Sequence, residues 1–77
     1  MPDIEKLIAS LERARGLVVL ADIERVLNKY GYSYARMRGS HIHFQKEDSV
    51  EIRFAVHNGK VKSWYARDVI KKLRRSI

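Results

Sequence analysis

Three histidines in the second half of the sequence have spacings that suit chemistry on a phosphate group. His41 and His43 are separated by one residue and follow directly after Gly39 and Ser40, in the stretch MRGSHIHF, and His57 ends the next alternating segment. Histidine titrates near neutral pH, so it can accept or donate a proton during catalysis. Arginine can hold a phosphate and offset the charge that builds on its oxygens. The arginines nearest to these histidines are Arg36, Arg38 and Arg53.

The histidines have three interpretations at this point. They fit the solvated face of a sheet, where polar residues need no special role. His41, His43 and His57 also supply enough imidazoles for a catalytic zinc, although the arginines would repel a cation and Glu51 is the one carboxylate in reach to orient a ligand. The third interpretation is general acid–base catalysis on a phosphodiester. It needs no metal, and it predicts RNA as the substrate because DNA lacks the 2′-hydroxyl that a histidine would deprotonate.

The charge of the chain is uneven along its length. The 77 residues carry 16 Lys and Arg against nine Asp and Glu, a formal net charge of +7. Residues 1–28 contain four basic and five acidic residues, whereas residues 29–77 contain twelve basic and four acidic ones. This balance predicts a polyanionic or strongly acidic partner for the second part of the chain.

Composition excludes several classes of protein. The chain has no cysteine, which rules out disulfides and a thiolate zinc site and suits a reducing compartment. Its longest apolar run, residues 17–21, is too short to span a membrane, and the first residues lack the layout of a signal peptide. We therefore expect a cytoplasmic location and no membrane association. At 77 residues the chain has the size of one domain with a marginal core.

Apolar periodicity predicts three helices. Apolar residues with helical spacing place the first helix at about residues 3–15, with Asp3 as N-cap and Gly16 just after its end. The second covers about 20–30, although Val18 and Val19 leave its start open. The last begins with Ser63 as N-cap. The residues expected on the buried sides are Ile4, Leu7, Ile8, Leu11, Leu20, Ile23, Leu27, Tyr30, Ala66, Val69, Ile70, Leu73 and Ile77.

Between the second and third helices the apolar period changes to two, which predicts three strands. They run from about 32 to 38, 41 to 45 and 50 to 57, and Val50 belongs to the apolar set of the last one. Gly39 and Ser40 fit a two-residue turn of type II′, and KEDS (46–49) is the second turn. Residues 57–62 are expected to be a polar loop.

The element order α-α-β-β-β-α predicts an α+β fold in which helices cover the apolar face of a three-stranded antiparallel sheet. Matching polar faces across the hairpins places His43 opposite Arg53 and His41 opposite Ala55. The open face would then carry six basic residues: Arg36, Arg38, His41, His43, Arg53 and His57.

The stretches GYSYARMRGSHIHF and VEIRFAVHNGKVKSWYARDVIKKL, in this order, resemble the HicA-type toxin family of toxin–antitoxin systems. The resemblance covers about residues 20–77. It rests on Gly31 before an aromatic residue, the motif Gly39-Ser40-His41, the segment Val56-His57 and the closing amphipathic helix.

The resemblance implies a fold like a double-stranded-RNA-binding domain and a toxin that cleaves mRNA without a metal or other cofactor. It implies that His41 is the catalytic residue and that a HicB-type antitoxin protein binds the active face. In the resulting hypothesis His41 deprotonates the 2′-hydroxyl, and Arg38 and Arg53 hold phosphate. His57 or His43 supplies the acid. Ser40, His43, Arg53 and His57 are the supporting candidates.

A non-catalytic RNA-binding module of the same fold is the alternative, because such domains read RNA through phosphate and 2′-hydroxyl contacts. The candidate RNA-binding residues are Arg36, Arg38, Lys60, Lys62, Lys71 and Lys72, with Arg74 and Arg75 beyond them. We expect a single domain over 1–77, with 20–77 as the family-like core. Residues 1–19 form a helical extension that either enlarges the core or docks a partner.

Overall fold

The computed structural model describes residues 3–75, which form three helices and two antiparallel sheets. The order of the helices and of the three main strands confirms the predicted α+β arrangement. Two three-residue strands are additional. The elements are α1 (Ile4–Arg13), β1 (Leu17–Val19), α2 (Leu20–Lys29), β2 (Ser33–Arg38), β3 (His41–Gln45), β4 (Ile52–Ala55), β5 (Lys60–Lys62) and α3 (Ser63–Arg75). No described helix is long and apolar enough to cross a membrane.

The N-terminal helix is part of the hydrophobic core. Asp3 caps α1, as predicted, by accepting a hydrogen bond from the Glu5 amide at 3.0 Å. Ile8 and Leu11 are buried, and α1 packs against both α2 and α3. Nη1 of Arg67 on α3 also donates to the Ala14 carbonyl at 2.7 Å. The segment before α2 therefore enlarges a core that would be small without it.

The polar loop predicted over residues 57–62 is wrong in its second half, because β5 pairs there with β1. The register joins Leu17 to Lys62, Val18 to Val61 and Val19 to Lys60. Val18 and Val61 are buried while the four other residues of the two strands are exposed. One buried residue in three is too short a pattern to distinguish a strand from a polar loop. The pairing also resolves the ambiguous Val18–Val19 boundary.

The main sheet has the order β2-β3-β4, and its apolar face packs against the helices. Phe44 and Phe54 lie stacked at the centre, with ring centroids 5.9 Å apart. Ile23 and Leu27 of α2 are buried in the core, as predicted, and so is Val26, which was not predicted to be buried. Leu20 and Tyr30, which were, are only partly buried. Ile77, predicted to line α3, lies outside the described residues. With one face of the sheet in the core, the opposite face is left for a site.

A bulge at Ala35 aligns β2 with β3. Tyr34 pairs with Phe44, whereas Arg36 pairs with His43, so one extra residue separates the two pairs. Strict alternation would place the side chains of Tyr34 and Arg36 on the same face. Because of the bulge, Tyr34 meets Phe44 edge-on and Arg36 lies on the open face.

Both ends of β4 differ from the prediction. Val50 does not point into the core but is 84% exposed, because pairing with β3 stops at Ile52. The chain there leaves the sheet through a turn in which Asp48 has φ of 59°. At the other end the strand stops at Ala55, and His57 pairs with Lys60 in a separate bridge. The alternation of apolar and polar residues therefore continues in the sequence beyond both ends of β4, into segments that are loops.

Candidate functional site

The open face carries two rows of side chains that cross the main sheet. In the first row, Arg38 pairs with His41 and His41 with Ala55. In the second, Arg36 pairs with His43 and His43 with Arg53. The predicted register between β3 and β4 is therefore confirmed. The residues around the open depression over these rows, called the basic pocket below, are Arg36, Arg38, His41, His43, Glu51 and Arg53.

His41 is the accessible histidine of the basic pocket. It stands first in β3, directly after the two-residue turn, where Gly39 takes the positive φ of 58° that a type II′ turn requires. Its ring is exposed, and its neighbour on β4 is Ala55, whose side chain is a single methyl group. Arginine stands beside His41 on the β2 side, while the β4 side leaves room for another molecule.

His43 does not lie on a solvated surface as expected, since only 6% of the residue is exposed. It occupies the middle strand between Arg36 of β2 and Arg53 of β4. Nδ1 of His43 lies 3.3 Å from Oε1 of Glu51. This contact has ion-pair distance but not the alignment of a hydrogen bond. His43 is therefore suited to support the other side chains of the basic pocket from its buried side.

Glu51 connects three side chains of this face. Its Oε1 lies 3.0 Å from Nη2 of Arg36 and accepts a hydrogen bond from Nε2 of Gln45 at 3.3 Å. Partial burial pushes the pKa of Glu51 upward, but the Gln45 hydrogen bond and the interactions with Arg36 and His43 outweigh it. The pKa of this carboxyl therefore lies below its usual value. Sequence reasoning considered Glu51 only as a carboxylate that could orient a metal ligand, although its spacing of two from Arg53 placed it on the same face.

The basic pocket also contains both of the buried side-chain nitrogens that make no hydrogen bond within residues 3–75. They are Nδ1 of His43 and Nε of Arg36. Buried polar atoms are nearly always paired, and one left unpaired reduces stability. Both nitrogens belong to side chains that Glu51 contacts, at 3.0 and 3.3 Å, in the same pocket as the exposed His41.

His57 lies in a second depression, beside Trp64 and Tyr65. Its amide donates to the Lys60 carbonyl at 2.9 Å, and the Lys60 amide returns a bond of the same length. The three histidines are thus divided between two depressions. Among the described residues, no group of three His, Cys, Asp or Glu side chains is arranged to hold a metal ion.

The remaining candidates are spread over the turn, β5 and α3. The Ser40 carbonyl accepts a hydrogen bond from the Val56 amide at 2.7 Å, which fixes the turn against the end of β4. Lys60 and Lys62 are exposed on β5. On α3, Lys71 is exposed, whereas Lys72 pairs with Asp68 at 3.1 Å. None of these side chains lines the basic pocket.

The chain matches a family model described as the HicA toxin of bacterial toxin–antitoxin systems, over residues 21–74. The match covers more than half of the 77 residues and includes both rows of the open face. The chain belongs to the HicA toxin family. HicA proteins are the toxins of toxin–antitoxin pairs and are generally ribonucleases, so membership implies a HicB antitoxin partner and RNA. No curated protein and no solved structure matches the chain significantly.

The HicA match begins after β1, yet α1 and β1 are structurally continuous with the matched region. β1 supplies the partner of β5, and α1 supplies Ile8 and Leu11 to the core. An ion pair of 2.9 Å between Glu12 and Arg74 further ties α1 to the last turns of α3. The part of the chain outside the family match thus stabilises the part that carries the site.

Proposed function

We propose that this HicA protein is a metal-independent endoribonuclease that cleaves mRNA, with His41 as the catalytic base. The observation that carries the proposal is the setting of His41: an exposed imidazole with Arg38 on one side and only the Ala55 methyl on the other. A general base must reach the proton that it removes, and this face leaves an RNA backbone room to approach.

In the proposed reaction, His41 takes the proton of a ribose 2′-hydroxyl. The 2′-oxygen attacks the adjacent phosphorus, and the bond from phosphorus to the 5′-oxygen breaks. That oxygen leaves with a proton from a general acid, so the products are a 2′,3′-cyclic phosphate and a 5′-hydroxyl. No step requires a metal ion. General base catalysis of this kind contributes about 10²–10⁴-fold to the rate.

Arg38 and Arg53 hold the phosphate in this mechanism. Both are exposed, and they flank the two histidine rows from opposite strands. Guanidinium groups bind phosphate oxygens through charge-assisted hydrogen bonds and stabilise the additional negative charge of the transition state. Arg36 is paired with Glu51 at 3.0 Å, which offsets its positive charge, so it is a weaker phosphate ligand than Arg38 or Arg53.

Two histidines are candidates for the acid. His43 lines the same pocket as His41 but is buried, whereas His57 is exposed in the neighbouring depression. An acid must contact the leaving oxygen, so an exposed ring fits the role better than a covered one. His57 is therefore our first choice, with His43 as a positioning residue. His57→Ala then slows cleavage of ordinary RNA but not of a substrate with a good leaving group.

The HicB antitoxin is proposed to neutralise the toxin by covering the basic pocket. The net charge of +7 favours an acidic partner, and the exposed arginines around His41 present that charge on one face. The same face then serves RNA and antitoxin in competition, and a complex would protect RNA from cleavage.

The test is cleavage of a long single-stranded RNA in EDTA by the wild-type protein, by His41→Ala and by Arg25→Ala. Arg25 is an exposed residue of α2 outside the basic pocket and serves as the matched control. Wild type and Arg25→Ala should cleave. His41→Ala should lose about 10²–10⁴-fold in rate and still bind RNA.

Three other results would contradict the proposal. Cleavage by His41→Ala at the wild-type rate would assign the base to another residue. Binding without cleavage by the wild-type protein would favour the non-catalytic RNA-binding module, and activity appearing only after zinc is added would favour a metal site. If six phosphates are contacted, RNA affinity should fall with salt at a log–log slope of about −4 to −5.

A further inference from the structure

The second depression lies directly beside His41 and differs from the basic pocket in its chemistry. Its lining includes aromatic and basic side chains, and it is called the aromatic pocket below; besides Leu17 and Asn58 it is lined by Ala55, His57, Lys60, Lys62, Trp64 and Tyr65. Trp64, the largest side chain of this pocket, is 52% exposed.

The exposed indole is held in a fixed orientation. Trp64 stacks on Tyr65 with ring centroids 3.9 Å apart and an angle of 24° between the planes. Tyr65 in turn contacts the buried Phe54, at 6.4 Å between centroids. The core therefore supports the stack from below, while half of the tryptophan surface faces solvent. A preorganised aromatic face of this kind binds another flat ring with little loss of side-chain entropy.

Ala55 connects the aromatic pocket to the catalytic histidine. It lines the aromatic pocket and is also the cross-strand partner of His41. Paired residues of an antiparallel sheet have Cα atoms about 5 Å apart. The aromatic pocket therefore begins at the residue that pairs with His41 on the neighbouring strand.

Two lysines place positive charge at the edge of the aromatic pocket. Lys60 and Lys62 are both exposed on β5, whereas Val61 between them is buried. The pocket thus combines an aromatic floor with two cations on one side. Sites for single-stranded nucleic acid have this combination, with bases on aromatic rings and phosphates on basic residues.

We propose that the aromatic pocket binds an unpaired nucleobase of the RNA adjacent to the cleaved phosphate, with the base stacked on Trp64. Lys60 and Lys62 bind the neighbouring phosphates. This site rests on the proposed ribonuclease function and extends it. It makes single-stranded RNA the preferred substrate, because a base within a duplex cannot reach the indole.

The first experiment uses the fluorescence of Trp64, which is the single tryptophan of the chain. The probe is a 2′-O-methyl oligoribonucleotide, which lacks the attacking hydroxyl and stays intact. A matched oligomer of equal length has the same phosphates but abasic sugars. Stacking predicts strong quenching by the base-containing oligomer and little by the abasic one. Equal fluorescence with both, at saturation verified by anisotropy, overturns the proposal.

The second experiment measures the affinity of a labelled 2′-O-methyl oligomer for variants. Trp64→Ala should weaken binding by roughly 5- to 150-fold, the usual effect of losing one base stack. Trp64→Phe keeps a ring and should recover part of it. Tyr34→Ala is the control, since Tyr34 is an exposed aromatic residue on the opposite face of the sheet. Wild-type affinity in Trp64→Ala would refute base stacking.

Failure of this site can be told apart from failure of the ribonuclease. Cleavage by the wild type, together with unchanged binding by Trp64→Ala, would remove the base site and leave the catalytic proposal standing. An oligomer that does not bind at all would remove the base site, while the cleavage assay in EDTA decides the ribonuclease separately. If purified antitoxin quenches Trp64 while the bound oligomer does not, the aromatic pocket is a protein interface and the proposal is wrong.

Discussion

Oε1 of Glu51 lies 3.3 Å from Nδ1 of His43, beneath the surface that exposes His41. The same oxygen lies 3.0 Å from Nη2 of Arg36. One carboxylate thus joins a buried imidazole of β3 to an arginine of β2, although Glu51 itself precedes the first residue of β4. Its position determines how the middle of the basic pocket is arranged.

Replacing this carboxylate should reduce catalysis without reducing RNA binding. Glu51→Gln removes the anchor of Arg36 and His43 and also removes a negative charge from the basic pocket. Since small misplacements of catalytic groups are costly, we expect kcat to fall by up to about 100-fold, with KM unchanged or lower. Steady-state kinetics of RNA cleavage measures both.

Glu47→Gln is the matched control for Glu51→Gln. Glu47 is exposed in the turn before β4 and lies outside the basic pocket, so this variant has the same change in net charge. It should keep the wild-type kcat. An equal loss of kcat in both variants would show that net charge, and not the position of Glu51, is responsible.

The depressed pKa of Glu51 predicts an acid-dependent contribution to stability. Because this pKa in the folded protein lies below the usual 4.5, the unfolded chain binds a proton more readily there. The contribution is therefore present above pH 4.5 and is lost as the pH falls through the folded-state value. Thermal unfolding should show wild type more stable than Glu51→Gln at neutral pH, with the difference shrinking as the pH falls below 4.5. A difference that grows on acidification would contradict this assignment.

Filling the space opposite His41 should block the reaction without unfolding the protein. Ala55→Leu places a larger side chain beside the imidazole, on the open face of β4, where no core packing is disturbed. We expect a loss of cleavage of about 100-fold. Its effect on stability should be within about 0.5 kcal/mol. Ala55→Gly keeps the space open and should retain activity. Wild-type cleavage by Ala55→Leu would show that the substrate approaches His41 from another side.

The N-terminal helix should be required for stability although it lies outside the family match. Leu11 is 3% exposed and packs in the core, so Leu11→Ala should lower the free energy of unfolding by about 2–5 kcal/mol. Leu17→Ala is the control for the same chemical change, since Leu17 is 62% exposed and should cost less than about 0.5 kcal/mol. Denaturant unfolding measures both. Equal stability of the two variants would mean that α1 is a dispensable extension.

The fold was largely predictable because its main elements have strong local patterns. Apolar residues repeat at helical spacing over ten residues or more in α1, α2 and α3, and the Asp3 cap marks the first start. In β3 and β4, alternation together with the short turn left one register that keeps all the apolar side chains on one face. That register was sufficient to place His41 opposite Ala55 and His43 opposite Arg53.

The sequence by itself thus determined the order of the helices and main strands, the register of β3 with β4 and the presence of His41 among arginines on an open face. Tertiary structure decided the pairing of β1 with β5, the bulge at Ala35 and the separation of His57 from the other histidines. It also decided that His43 is buried against Glu51. These features depend on contacts between residues distant in the chain and on how long side chains lie over their neighbours. Local periodicity carries no information about either.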